Sequence, residues 1–316
     1  MIFLTGITYL KILSQKGGVM ELRVLRYFLA VAREGSFTKA SNLLHLSQPA
    51  LSKQIMDLER ELDCKLFVRG SHSVRLSEDG LLLKRRAGEI IEIAERTRSE
   101  FSHKRDNISG EIYIGAGETN GIKAVADVAN ELRKKYPQIT FNFHSGNAED
   151  IMERLDKGLL DFGLIIQPAD ISRYDSITLP NKDIWGVIMN KKSPLASKRA
   201  IKREDLFGAP LIMSKQIARR ISGKGGIAKW LGPDMGKYNI VARYNLLFNA
   251  SVMASKGMGY VIGLDGIIDT SPNSALCFRP LMPKLESDMG IIWKKERLFS
   301  APANLFLAKI REYCEG

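Results

Sequence analysis

Between Glu21 and Leu62 three short helical periodicities follow one another, separated by residues that stop one helix and start the next, and this succession constrains the fold more than any other feature. Leu22, Leu25, Phe28, Leu29 and Ala32 recur at spacings of three and four, which gives a first helix one apolar face that stops at Gly35. Ser36 can cap a second short helix carrying Phe37, Ala40, Leu43 and Leu44, because its hydroxyl can accept one of the N–H groups that a first turn leaves free. Leu44 to Leu46 makes the turn. Ser47 is placed to cap a third helix, and Pro49 falls in its first turn, where a missing N–H costs nothing. The stripe Leu51, Ile55, Leu58 and Leu62 faces inward there, so Gln48, Ser52 and Lys53 face outward. Two short helices joined by a tight turn, the second showing small polar and cationic side chains, are what the major groove of DNA accepts.

Leu66 to Arg69 and Val74 to Leu76 read as two extended runs around Gly70, Ser71, His72 and Ser73, a β-hairpin wing whose Arg69 and Arg75 flank the tip within reach of phosphates. Ser77 begins a further helix with Gly80 as a tolerated interruption. Its apolar positions Leu81, Leu82, Leu83, Ala87, Ile90, Ile91 and Ala94 run on to about Arg105. A helix this long and exposed calls for a partner helix, so a dimer through this segment is expected. Beyond Ser109 and Gly110 strands and helices alternate: Ile112 to Gly115, Ile139 to Phe143 and Phe162 to Ile166 as strands, Gly121 to Tyr136 and Asn147 to Lys157 as helices. Alternation of this kind predicts a parallel α/β sheet. A second set starts with a strand at Ile184 to Met189 and includes Pro210 to Met213, Ala250 to Lys256 and Tyr260 to Ile262, giving a second lobe and a cleft between the two.

A length of 316 residues allows about two domains, each with its own core. The formal charge of +12 favours an anionic partner. Positive charge is densest at the start, where residues 1–105 hold 18 Lys/Arg against 12 Asp/Glu. No stretch approaches the roughly 20 continuous apolar residues of a membrane span, and a cytoplasmic location is expected. The 3 cysteines form no CxxC pair and the 4 histidines no HExxH, so neither a disulfide framework nor a metal site is expected. Cys64, between Leu62 and Leu66, reads as a buried structural thiol. Met1 to Val19 lacks the basic start and cleavage site of a secretory signal, and the folded pattern is expected to begin at Met20, after a leader or the product of an upstream start codon.

Gly115, Gly117 and Gly121 sit between a strand and a helix, but the spacing is GxGxxxG and the next strand ends at His144, Ser145, Gly146 and Asn147 without the acid that would hold a ribose. No nucleotide or other cofactor is expected. What remains is a helix N-terminus suited to an anion, where Thr119 and Asn120 can add hydrogen bonds, and a second such terminus near Ser145 to Asn147. Glu118 complicates that reading, because a carboxylate at the cleft mouth repels an anionic ligand unless paired and keeps a cationic, polar or neutral ligand open. Arg219 and Arg220, followed by the Gly-rich Ser222 to Gly226, could supply a counter-charge there, but read first as a solvated basic loop. No Ser-His-Asp, Cys-His or paired-carboxylate signature stands at a usable spacing, and an enzyme is not expected.

The stretch FTKASNLLHLSQPALSKQIMDLERELDCKLFVRGSHSVRLSEDG, from Phe37 to Gly80, closely resembles the DNA-binding domain of the LysR family of bacterial transcription regulators. YPQITFNFHSGN at Tyr136, LDKGLLDFGLI at Leu155, SPLA at Ser193 and SKGMGYVI at Ser255 resemble that family more loosely. The resemblance implies an α/β chain with an α-rich N-terminal domain: a winged helix-turn-helix over 20–78, a linker and dimerisation helix over 79–109, and an effector-binding domain over 110–316. That last domain would have the two-lobed fold of periplasmic binding proteins, with lobe I at about 110–183 and 288–316 and lobe II at about 184–287. It implies Gln48, Pro49, Ser52 and Lys53 at base edges, and Ser36, Thr38, Lys39, Ser47, Arg69 and Arg75 mainly on phosphates. An effector would sit among Gly117, Glu118, Thr119, Asn120, Ser145, Gly146, Asn147, Gln167, Ser214 and Asn249. The implied partners are double-stranded operator DNA with dyad symmetry, a small-molecule effector, further copies in a homodimer or homotetramer, and RNA polymerase. Many relatives carry Arg where Lys53 stands, and an ammonium cannot form the planar bidentate fork to guanine, so base discrimination there should be weaker.

Overall fold

A computed structural model of the chain describes residues 20–69, 74–102, 108–215, 217, 226–233 and 235–315. Two compact units divide after Phe101. The leader, the wing tip at Gly70 to Ser73, Arg105, Arg219, Arg220 and Ser222 lie outside the described residues.

The N-terminal unit runs α1 (Leu22–Glu34), α2 (Phe37–Leu43), α3 (Gln48–Glu61), β1 (Phe67–Arg69), β2 (Val74–Leu76) and α4 (Glu78–Ser102). Gly35 ends α1 with φ of +60°, a left-handed conformation that only glycine adopts cheaply, and its N–H returns to the Val31 carbonyl. Ser36 caps α2 by accepting the Lys39 N–H, and Ser47 caps α3 by accepting the Ala50 N–H. Packed between these helices are Leu25, Phe28, Phe37, Leu51, Ile55 and Leu58, with Phe67 of the wing laid against Phe28 and Phe37 at ring separations of 5.3 and 5.7 Å.

Three sequence expectations shift here. The buried face of α1 is Val24, Leu25, Phe28 and Val31, while Leu22 is exposed, because the helix is rotated from the face that Leu22 and Ala32 suggested. Leu43 and Leu62 close their helices at solvent-facing ends and are exposed. Cys64 is half-buried, not enclosed; burial, then the carboxylates of Asp79, Glu59 and Asp63, push its thiol above the usual range.

Gly80 is required where an interruption was expected. A Cβ at this position would lie 2.1 Å from the Leu66 carbonyl oxygen and 3.0 Å from Leu76 Cδ2. Ser77 fixes the same junction, its hydroxyl donating to the Lys65 carbonyl and accepting the Gly80 N–H at 2.9 Å.

The C-terminal unit contains β3 (Gly110–Ala116), α5 (Ile122–Lys135), β4 (Ile139–Ser145), α6 (Ala148–Asp156), β5 (Phe162–Ile166), β6 (Tyr174–Asn190), β7 (Ile201–Lys202), β8 (Pro210–Ser214), α7 (Gly226–Leu231), β9 (Asn239–Tyr244), α8 (Leu247–Ser255), β10 (Tyr260–Leu264), β11 (Leu276–Met282), β12 (Glu286–Lys294) and α9 (Ala301–Glu315). The strands lie in the order β4-β3-β5-β12-β6-β10-β8-β9, with β11 beside β6 and β7. Among the described residues the parallel pairs are β3–β4, β3–β5, β8–β10, β8–β9 and β7–β11, so the sheet is mixed and not the parallel one that alternation predicts.

The difference comes from two strands. β12 runs antiparallel to both β5 and β6, and the strand read as Ile184 to Met189 is only the end of β6, which is 17 residues long. Its first part pairs with β12, and its last part with β10 and β11, so β6 crosses from one lobe to the other. The exposed Pro180, Asn181 and Lys182 hide that continuity from any apolar pattern. Separate cores form on the two sides, around Ile112, Ile114, Phe162 and Phe306 in the first lobe and around Val187, Met189, Leu211 and Ile262 in the second.

Candidate functional site

Leu51, Ile55 and Leu58 anchor α3 in the core, and its opposite face is therefore turned to solvent. Gln48, Pro49 and Lys53 are exposed there and Ser52 is half-buried. Met56, which sequence reasoning missed, continues the same face one turn on, at the i+4 spacing from Ser52. Thr38 and Lys39 are exposed in the first turn of α2, and among the described residues Lys39 and Lys53 form no ion pair. Ser36 and Ser47 use their oxygens as caps, which leaves each hydroxyl proton available to a phosphate. Arg75 is exposed on β2; the Arg69 side chain lies outside the described residues.

Glu59, on the far side of α3, holds this helix to the wing. It is buried and accepts the N–H groups of Leu66 and Phe67 at 2.8 and 3.3 Å, with the Lys65 ammonium at 3.0 Å. The only trace of it in the sequence is an acid following Leu58 on the buried stripe.

In the C-terminal unit, the end of β3 from the first lobe and the start of α8 from the second border a cavity with about 100 Å³ of water-accessible space. Of the expected residues, Gly117, Glu118, Gly146, Asn147 and Ser214 line it. Glu118 accepts the Leu247 N–H at the first residue of α8, so a side chain of one lobe is bonded to the backbone of the other. Trp185, Tyr244, Asn245 and Leu247 also line the space and were missed, Trp185 because the strand that carries it was not seen to cross the lobes. Burial, with a smaller contribution from the Glu118 charge, pushes the Tyr244 phenol above its usual range, and its hydroxyl donates to the Ile262 carbonyl at 2.7 Å.

The structure does not bring the other expected residues to the cavity wall. Thr119 is buried and its hydroxyl donates to the Asp183 carboxylate on β6. The Asn120 N–H donates to the same carboxylate at 3.1 Å, and the Asn120 side chain donates to the Asp265 carbonyl at 2.5 Å. Both residues are thus engaged at the lobe crossing. Burial pushes the Asp183 carboxyl up, with the Thr119 and Asn120 hydrogen bonds opposing it. Ser145 is exposed at the end of β4, Asn249 is exposed on α8, and the Gln167 side chain folds back to accept the Ala169 N–H at 2.8 Å. Among the described residues no His, Cys, Asp and Glu group could hold a metal ion, and no helix is long and apolar enough to cross a membrane.

Comparison with known proteins places both units. Residues 22–81 match the family described as "Bacterial regulatory helix-turn-helix protein, lysR family", and residues 105–315 match "LysR substrate binding domain". A "Probable RuBisCO transcriptional regulator" of Porphyra purpurea is 29% identical over 243 residues, which is 76% of this chain and 75% of the relative. The "Uncharacterized HTH-type transcriptional regulator YwbI" of Bacillus subtilis is 28% identical over 305 residues, 93% of this chain and 97% of that one. The crystal structure of CbnR, a LysR family transcriptional regulator, superposes with a TM-score of 0.74 at 18% identity, covering 94% of this chain and 100% of that chain, a likeness of fold alone. The chain belongs to the LysR family and is a DNA-binding transcriptional regulator with a helix-turn-helix unit and an effector-binding unit.

Proposed function

We propose that α3 reads operator DNA through Gln48, Pro49, Ser52 and Lys53, while Ser36, Thr38, Lys39, Ser47, Arg69 and Arg75 hold the flanking phosphates and set register. The observation that carries this reading is the outward face of α3: small, polar and cationic, beginning at a serine cap, with Lys53 free of ion pairs among the described residues. The cavity bordered by Gly117, Glu118, Asn147 and Ser214 takes a small effector that binds one arrangement of the lobes better and shifts the population toward it. Copies pair through α4, where Leu81 and Leu82 are 59% and 51% exposed, too apolar a surface to leave in water. A dimer or tetramer so formed would span an operator with dyad symmetry, alter its bend on effector binding and present itself to RNA polymerase. The protein acts in the cytoplasm, by binding and without catalysis.

The test is a fluorescence anisotropy titration against a duplex from the upstream region of its own gene, with a scrambled duplex as competitor. Lys53→Ala is expected to weaken operator binding about tenfold, one direct contact being worth on the order of 1 kcal/mol or more. Equal, salt-insensitive binding by wild type and Lys53→Ala would refute the assignment.

A further inference from the structure

The charge pattern of the cavity assigns a class to its ligand, given the reading of this cavity as the effector site. Among the described lining residues Glu118 is the one carboxylate, and no Lys, Arg or His accompanies it. One Glu118 oxygen accepts the Leu247 N–H, so the N-terminus of α8, where an anionic ligand would find a backbone donor, already holds an anion belonging to the protein. The other oxygen, Oε1, has no hydrogen-bond partner among the described residues.

A ligand carboxylate could reach the Leu247 N–H only by displacing Glu118. It would exchange one carboxylate for another and leave Glu118 unpaired in the cavity, which supplies no differential affinity with which to bias the lobes. An ammonium does the reverse: it pairs with the unused oxygen while Glu118 keeps Leu247, and so strengthens a contact that already joins the lobes. Trp185 and Tyr244 add aromatic rings that attract a cation. Ile151 and Leu164 provide an apolar wall, and about 100 Å³ of water-accessible space accommodates a ligand body of a few heavy atoms. We infer that the effector is a small aliphatic amine, bound as its ammonium ion with Glu118 as counter-ion.

Butylamine, butanol and butyrate share a carbon skeleton and differ in charge, which makes them suitable probes for the full chain at constant ionic strength. Binding is followed by the emission of Trp185, with Trp185→Phe as the blank. Butylammonium is expected to bind at least about tenfold more tightly than butyrate, a difference of about 1.4 kcal/mol. Glu118→Gln, which keeps an acceptor for the Leu247 N–H, is expected to lose about tenfold for the amine and markedly less for butanol. Tighter binding of butyrate, or an amine affinity indifferent to Glu118→Gln, overturns the amine assignment while the cavity remains the effector site. Silence of Trp185 toward all three probes overturns the effector-site reading and this inference with it.

Discussion

Alanine in place of Glu59 is expected to destabilise the DNA-binding unit by about 3 kcal/mol, because two buried amides lose their acceptor at once and each orphaned donor costs about 1–3 kcal/mol. Glu59 is only 9% exposed, and one of its oxygens accepts both the Leu66 and the Phe67 N–H. Urea denaturation followed by circular dichroism would show the midpoint fall with the slope unchanged. Burial alone would raise the Glu59 carboxyl, but the Lys65 hydrogen bond, the two amides and the Lys65 charge outweigh it and hold the folded-state value below the usual one. The contribution is therefore present above the unfolded value of about 4.3 and is lost as pH falls through the folded one. Wild type should lose stability over that acid range, and Glu59→Ala should lack this component of the loss.

Asp161→Ala is expected to cost the C-terminal unit about 3–5 kcal/mol, the usual penalty for removing one partner of a buried ion pair. Asp161 is 1% exposed, accepts the Tyr113 N–H at 2.9 Å and pairs with Arg297 at 3.2 Å. Without it the half-buried guanidinium, its side chain 16% exposed, has no counter-charge among the described residues, where Arg297 Nε already lacks a hydrogen-bond partner. Thermal unfolding should show a fall of roughly 10 °C in the transition of this unit. Asp161→Asn, which still accepts the Tyr113 N–H, should fall less.

The helix-turn-helix was legible because its signals are local. A stripe at four and three residues (Leu51, Ile55, Leu58), two serine caps, a first-turn proline and Gly35 each act within a few residues of themselves. The sheet was less so, since the pairing of β12 between β5 and β6 joins residues more than 100 positions apart, and no local periodicity encodes it. Gly80 shows the same limit on a smaller scale: its need for a bare backbone comes from the Leu66 carbonyl across the wing junction. Of the cavity, the glycine-bearing loops were legible as strand-to-helix turns. Trp185, Tyr244 and the Leu247 amide that Glu118 engages come from the second lobe, so their place in the wall depends on how the lobes meet.

The central claim, that α3 reads bases while its flanks hold phosphates, is tested most directly by operator affinity measured against salt concentration for wild type, Gln48→Ala and Arg75→Ala. Gln48→Ala should reduce the preference for operator over scrambled duplex, with the slope of log affinity against log salt unchanged. Arg75→Ala should weaken both duplexes alike and lower that slope by about 1. A Gln48→Ala variant that keeps the full preference, with a slope equal to wild type in Arg75→Ala, would contradict the account.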